Sequence, residues 1–240
     1  MNWRHGVLFV SAFCLTAGLA AGSAHAQARV GEAAVIQNQV VRVSGSATSQ
    51  INVGDGVLRD EIVRTGLESA ARLVMADNTN LSLGPNATIT LDRIVFNDEH
   101  TYRDIVIKLT AGAFRFVTGN SEKAAYQITT SLATIGVRGT ILDILSQRGK
   151  TTVVLQEGAS RVCATGGQCM ELTQPGDTAV ITSAGSKVTI KKVNIPPWNF
   201  AANCAAVAGL CTVTNYADAT PTVTPAIDDG SDPTGMLCGR

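Results

Sequence analysis

Between about residue 34 and residue 193 the chain is interrupted every few residues by segments that favour reversal: ADNTN, GPNA, NDEH, TAG, TGNSEK, RGK, EGAS, TGGQ, QPGD and SAGS. Each supplies a glycine, proline, asparagine or aspartate where the backbone has to turn. Spacing this tight leaves no room for the crossover helices of a parallel α/β sheet. The runs between the turns have period two, as in Ile105, Ile107 and Leu109, in Phe114 and Phe116, and in Ile89 and Leu91. Aromatics are only 5% of the chain, and the apolar content rests on Val, Ile and Leu, which suit strands. The expectation is an all-β fold, an antiparallel sandwich or β-helix-like roll of many short strands, with a barrel as a further option and an irregular C-terminal tail. GLESAARLVM is the one stretch that tempts a helix, and it reads equally as a turn into a strand at Leu73 and Met75. RLVMADNTNLSLGPNATITL and TVVLQEGASRVCATGGQCMELTQPGDTAVI share a strand, turn, strand, turn, strand plan too loose to fix a repeat.

The two ends read differently. Residues 1–26 carry Arg4, an apolar run GVLFVSAFCLTAGLAA and an Ala24-His25-Ala26 cleavage site, the pattern of a secretory signal peptide. The run is short for a spanning helix, and no later run is long enough, so the mature chain is expected to be exported, periplasmic or secreted, without an integral membrane segment. The charge balance is 19 basic to 19 acidic residues, and the leader removes only Arg4 from it, so nothing electrostatic argues for nucleic acid. The composition changes after Val193 at IPPWNF, where Trp198 is placed to cap the core, and residues 196–240 continue as a Cys-containing tail rich in Pro, Thr and Asp. DDGSD in that tail lacks the alternating ligands of a calcium loop.

Cysteines in an exported chain are read as disulfide formers before metal ligands. Cys14 lies in the leader, which leaves Cys163, Cys169, Cys204, Cys211 and Cys238, an odd number. Cys163 and Cys169 flank ATGGQ, a hairpin loop whose paired strand ends bring Cβ atoms to bonding distance, so this is the first candidate disulfide. Cys204 with Cys211 is the second, as the most local pair in the tail. Their spacing matches no structural zinc pattern.

Catalytic signals are sparse. His100 is the one histidine beyond the leader and sits in the charged turn FNDEHTY. No G-x-S-x-G elbow, P-loop or H-E-x-x-H motif occurs, and no spacing singles out a carboxylate pair. No catalytic residue, metal ligand or cofactor site is therefore assigned, and a non-enzymatic role is expected. Asn80-Leu-Ser and Asn86-Ala-Thr match a glycosylation sequon but are short enough to arise by chance. Lys191 and Lys192 read as a solvated strand edge.

The most distinctive segment is ATIGVRGTILDIL. Before Gly139 the apolar residues are Ala133, Ile135 and Val137, at odd positions; after it they are Leu142 and Ile144, at even positions, with Asp143 opposite. A strand that changes parity has changed faces, which a β-bulge at glycine accomplishes. Gly139 is the expected bulge, with Thr140 following it, and Gly136 the expected point of close approach by another backbone or side chain. Arg138 projects opposite Val137, either as a structural partner of Asp143 or Glu157 or as a holder of an anionic ligand.

IGVRGT, following YQITT and preceding ILDIL, with VVLQEGASRV and LTQPGDTAVI after it and DEIVRTGLESAARLVMADNTNLSLGPNATITL before, resembles the FecR-like domain family over roughly Gly31 to Val193. The resemblance implies a bacterial, extracytoplasmic all-β domain, placed here at residues 27–195. In the family's founding members this domain relays a signal from an outer-membrane receptor to a cytoplasmic sigma factor, behind a cytoplasmic segment and a transmembrane helix. A cleavable leader in their place is at odds with sigma-factor contact. The expected role is a protein-interaction module binding another envelope protein, with strand-edge pairing as one route. A glycan or small-anion binding protein using Arg138 is the alternative, and a sigma-factor signalling component or an envelope hydrolase are weaker ones.

Overall fold

The computed structural model of the chain describes residues 28–96 and 100–203. The leader, Cys204, Cys211, Cys238 and DDGSD lie outside the described residues. Within them the order is β1 (Arg29–Gln37), β2 (Val40–Ser44), β3 (Ala47–Gln50), β4 (Gly56–Leu58), β5 (Ile62–Thr65), β6 (Ala70–Met75), β7 (Asn80–Leu83), β8 (Thr88–Phe96) and β9 (Tyr102–Val117). A 3-10 turn at Lys123–Ala125 leads into β10 (Tyr126–Thr129), β11 (Ala133–Gln147), β12 (Lys150–Ala164), β13 (Cys169–Leu172), β14 (Thr178–Ala184) and β15 (Lys187–Val193). One short helix, α1 (Phe200–Asn203), follows. The fold is all-β, as the turn spacing predicts, and GLESAARLVM is a turn into β6.

All 15 strands join one sheet, whose main path runs β15-β14-β12-β11-β10-β9-β7-β6-β1-β4. Two expectations need correction. Not every strand is short: β9 has 16 residues and β11 and β12 have 15 each. TAG and EGAS do not reverse the chain but lie inside β9 and β12, where Gly112 (φ 100°) and Gly158 (φ 83°) bend it. Nor is pairing wholly antiparallel, since β10 runs parallel to the first half of β9, from Tyr126 opposite Ile105 to Thr129 opposite Lys108. The short link between them is possible because β9 changes partners at its bend. Before Gly112 it lies between β8 and β10, and beyond it between β7 and β11.

These bends fold the sheet over one main core. Leu73, Ile89, Ile107, Phe116, Ile135, Leu142 and Leu155, from five different strands, belong to one buried cluster. The alternation seen in the sequence is the burial pattern: Ile105, Ile107 and Leu109 are all buried, as are Phe114 and Phe116. Phe116 meets the Tyr126 ring edge-on at 5.7 Å. The fold-over brings Thr130, just past β10, to 3.2 Å from Thr151 at the start of β12, oxygen to oxygen.

A buried polar joint ties the β6–β7 turn to the segment after β9. The Asp77 carboxylate accepts the Thr79 N–H (2.9 Å), the Ser121 hydroxyl (2.7 Å) and the Tyr126 hydroxyl (2.6 Å). The Asn120 N–H donates to the Asp77 carbonyl at 2.7 Å. Burial, with Asp77 beside it, pushes the Tyr126 hydroxyl up to about 12. Satisfied this fully, a buried carboxylate orders its surroundings instead of costing stability.

At the carboxyl end, Cys163 and Cys169 face each other across the β12–β13 hairpin and form a disulfide. So short a loop adds roughly 2 kcal/mol on the chain-entropy account, enough to pin the hairpin. Lys192 is not simply a solvated edge. Its ammonium bonds Asp177 at 2.7 Å, and the same Asp177 oxygen accepts the Thr173 and Gln174 N–H groups. Burial pushes the Asp177 carboxyl up, but Lys192 and the two amides outweigh it and hold the group below its ordinary value. Trp198 is half-buried beside fully buried Phe200, which covers Ala70 and Ala113.

Glu61, just ahead of β5, is buried with Arg42 3.5 Å away. Burial raises its carboxyl above the ordinary value, and the Leu58 backbone and Arg42 offset only part of this. Above pH 4.5 the folded chain retains a proton the unfolded chain releases, so this group's contribution to stability falls as pH rises through its folded pKa. Urea unfolding of Glu61→Gln beside the parent should show a stability advantage that grows across that window and is constant below it. A difference independent of pH would contradict the assignment.

Candidate functional site

The IGVRGT segment forms the bend in β11. Residues Ala133–Arg138 pair with β12, and Thr134–Gly136 with β10 as well; Ile141–Gln147 lie beside β12, with Ile141–Ser146 also paired to β9. The register with β12 shifts between Arg138 and Ile141, and Gly139 has φ 67°, so the change of parity in the sequence is a bulge. Gly158 of β12 stands against it. A Cβ at Gly158 would lie 1.9 Å from the Gly139 carbonyl oxygen, a distance no side chain permits. The close approach expected at Gly136 is found here instead: a Cβ at Gly136 would meet only the Arg161 carbonyl, at 3.8 Å.

The bulge leaves backbone groups of Thr140 without a strand partner, and Thr118, just past β9, collects them. The Thr140 N–H donates to the Thr118 hydroxyl at 2.8 Å, while the Thr118 N–H (3.1 Å) and hydroxyl (3.0 Å) reach the Thr140 carbonyl. This clasp answers the requirement that buried backbone groups be paired. Val137, one step before Arg138, points inward and is buried.

Arg138 is exposed, and neither expected ion pair forms. Asp143 is instead held by Arg115, directly opposite it on β9, through Nε–Oδ1 (2.5 Å) and Nη2–Oδ2 (2.7 Å) contacts. Asp143 Oδ2 also accepts from Gln156 Nε2 at 2.9 Å and from the Phe200 N–H at 3.4 Å, and the Arg115 guanidinium lies 5.3 Å from the centre of the Phe200 ring. A planar fork meeting a carboxylate inside the fold favours this geometry. Removing one partner from such a buried pair costs about 3–5 kcal/mol, since the other charge is stranded.

Two open grooves flank the bulge. One, of ≈ 400 Å³, runs past Thr118, Ser121, Lys123, Gly139, Thr140 and Glu157. The other, of ≈ 450 Å³, is lined by Lys123, Ala124, Gly136, Val137, Arg138 and Arg161. Lys123 belongs to both, and its side chain lies over Gly139, with Cε 3.2 Å from where a Cβ would stand. Arg161 faces Glu171 across the β12–β13 ladder at 3.5 Å, both side chains largely solvated. Sequence reasoning missed Lys123 and Arg161. The hairpin disulfide held a signal for Arg161: with Cys163 opposite Cys169, Arg161 falls on the same face opposite Glu171. His100 is exposed, away from these grooves' linings. Among the described residues no group of three or more His, Cys, Asp or Glu could hold a metal ion.

Gly158→Ala is expected to destabilise the protein by at least about 2 kcal/mol, because it adds a positive-φ penalty to a backbone clash. Gly136→Ala and Arg138→Ala should each stay within about 1 kcal/mol of the parent in urea unfolding. A large loss at Gly136 with a small one at Gly158 would place the constraint on the wrong glycine.

Two crystal structures of a candidate anti-sigma factor from Parabacteroides distasonis ATCC 8503 are similar, with TM-scores of 0.43 and 0.44 and 13% identity. Each alignment covers 54% of this chain and 58% of the other, so the chain spans little more than half the length of those proteins. No curated protein matches. Residues 61–160 match the family described as FecR protein, a narrower span than Gly31 to Val193, yet one that contains IGVRGT and both glycines of the bend. The bulge at Gly139 and its partner Gly158 both lie inside this FecR-like span.

Proposed function

We propose that the chain is an exported, non-enzymatic interaction module of the bacterial envelope that pairs an edge of its sheet with a strand of another envelope protein. The observation that carries this reading is β15. Its seven residues hydrogen-bond to β14 alone among the described strands, with Val188 and Ile190 half-buried and Lys187 and Lys191 exposed. A strand with one partner presents backbone donors and acceptors to an incoming strand, and flanking lysines discourage copies of the same chain while favouring an acidic one. A FecR domain supports a protein-interaction or signalling role in the same coarse sense.

Three buried aspartates support a non-enzymatic role. Asp77, Asp143 and Asp177 are each tied by several hydrogen bonds to neighbouring side chains and amides, which commits them to structure. Among the described residues no helix is long and apolar enough to cross a membrane.

Export is tested by amino-terminal sequencing of the protein recovered from the envelope fraction of its host, which should read from Gln27; a chain starting at Met1 contradicts it. The interaction is tested with a photo-cross-linking residue at Lys191 in intact cells. One discrete adduct to an envelope protein is expected, with none from the same probe at exposed Asp92. No adduct from β15, or equal labelling from Asp92, overturns the strand-edge reading.

A further inference from the structure

The solvent face beside the bulge gathers three cations around one depression. Lys123, Arg138 and Arg161 line the ≈ 450 Å³ groove, with Gly136 in its wall. Gln127, Gly136, Arg161 and Glu171 form one row across four neighbouring strands, and Gly136 interrupts that row with no side chain. A Cβ there meets nothing nearer than 3.8 Å, so the glycine is not required by packing and its effect is to leave the groove open.

Charge along the surface is ordered. Among the described residues no carboxylate is paired with Lys123 or Arg138, whereas Arg161 already holds one, Glu171, through an exposed contact at 3.5 Å. Such a solvated pair is worth little and exchanges readily. Beyond Lys123 the ≈ 400 Å³ groove continues to Glu157 and to Thr140, whose buried Oγ1 has no hydrogen-bond partner among the described residues. The two grooves meeting at Lys123 make a track longer than one small ion fills, cationic at one end and carrying a carboxylate at the other.

We propose that this track binds an extended acidic peptide segment of a partner protein, its carboxylates meeting Arg138 and Arg161 and a hydrogen-bonding or cationic residue meeting Glu157. The arginine forks match carboxylates in shape as well as charge. The inference rests on the interaction-module reading and names what is recognised. Held at an exposed surface, the contact weakens with salt and draws its selectivity from charge order.

The test titrates the isotope-labelled chain with a hexaglutamate peptide and, in separate arms, with hexalysine, inorganic phosphate and a sulfated hexasaccharide. Saturable amide shifts confined to Lys123, Gly136 to Thr140 and Arg161 are expected with hexaglutamate alone. The affinity should fall by about tenfold or more in the Arg138→Glu/Arg161→Glu double variant. It should fall comparably in Gly136→Leu, which keeps every charge and fills the groove, with thermal unfolding of both variants close to that of the parent. Undiminished binding by the double variant, shifts scattered over the surface, or an equal response to phosphate or the sulfated sugar overturns the proposal. In cells, the Lys191 cross-link should be lost in the folded double variant. Its persistence there sinks the groove and leaves the interaction module standing.

Discussion

Gly139 and Gly158 stand face to face, and much of the architecture follows from that contact. Here the long strands of the 15-stranded sheet bend at positive-φ glycines, so that one sheet covers both sides of the main core. Bending requires backbone to approach backbone, and the 1.9 Å separation from a would-be Cβ to the Gly139 oxygen shows how little room remains. Gly112 does the same for β9 against Ala87, where a Cβ would lie 2.4 Å from the Ala87 Cα. Hydrophobic burial drives the folding over, but glycine decides where the crease falls.

Two buried polar clusters hold the creased sheet in register. Arg115 and Asp143 lock β9 to β11 just beyond the crease, and Asp77 locks the β6–β7 turn to the segment leading into β10. Neither needs to add much net stability, since desolvation cancels much of what charge pairing contributes. Each penalises a slip of register, because a one-residue shift would strand a charge among apolar side chains.

The parity change in IGVRGTILDIL was legible because a strand's two faces are encoded by position alone, and the Cys163–Cys169 bridge because hairpin pairing is local. TAG and EGAS were misread as reversals. A glycine in turn-like company has the same local chemistry whether the chain reverses or bends, and only a partner strand from elsewhere separates the two. Arg138 was offered Asp143 by nearness in sequence, whereas the register gives that carboxylate to Arg115, 28 residues away. The cationic groove was out of reach for the same reason: Lys123 arrives beside Gly139 through the parallel return to β10, which no spacing announces.

The Thr118–Thr140 clasp has a consequence for how such a surface changes over time. Because the crease is secured by backbone groups, one hydroxyl and glycine, the backbone beneath the grooves keeps its course whatever side chains stand at Lys123, Arg138 and Arg161. Those three are exposed and carry no share of the core. Rim charge and folding are thereby written in separate residues, so selection can rewrite the charges on the rim while the frame beneath stays constant. A scaffold divided in this way can change the charge of its surface without having to be refolded.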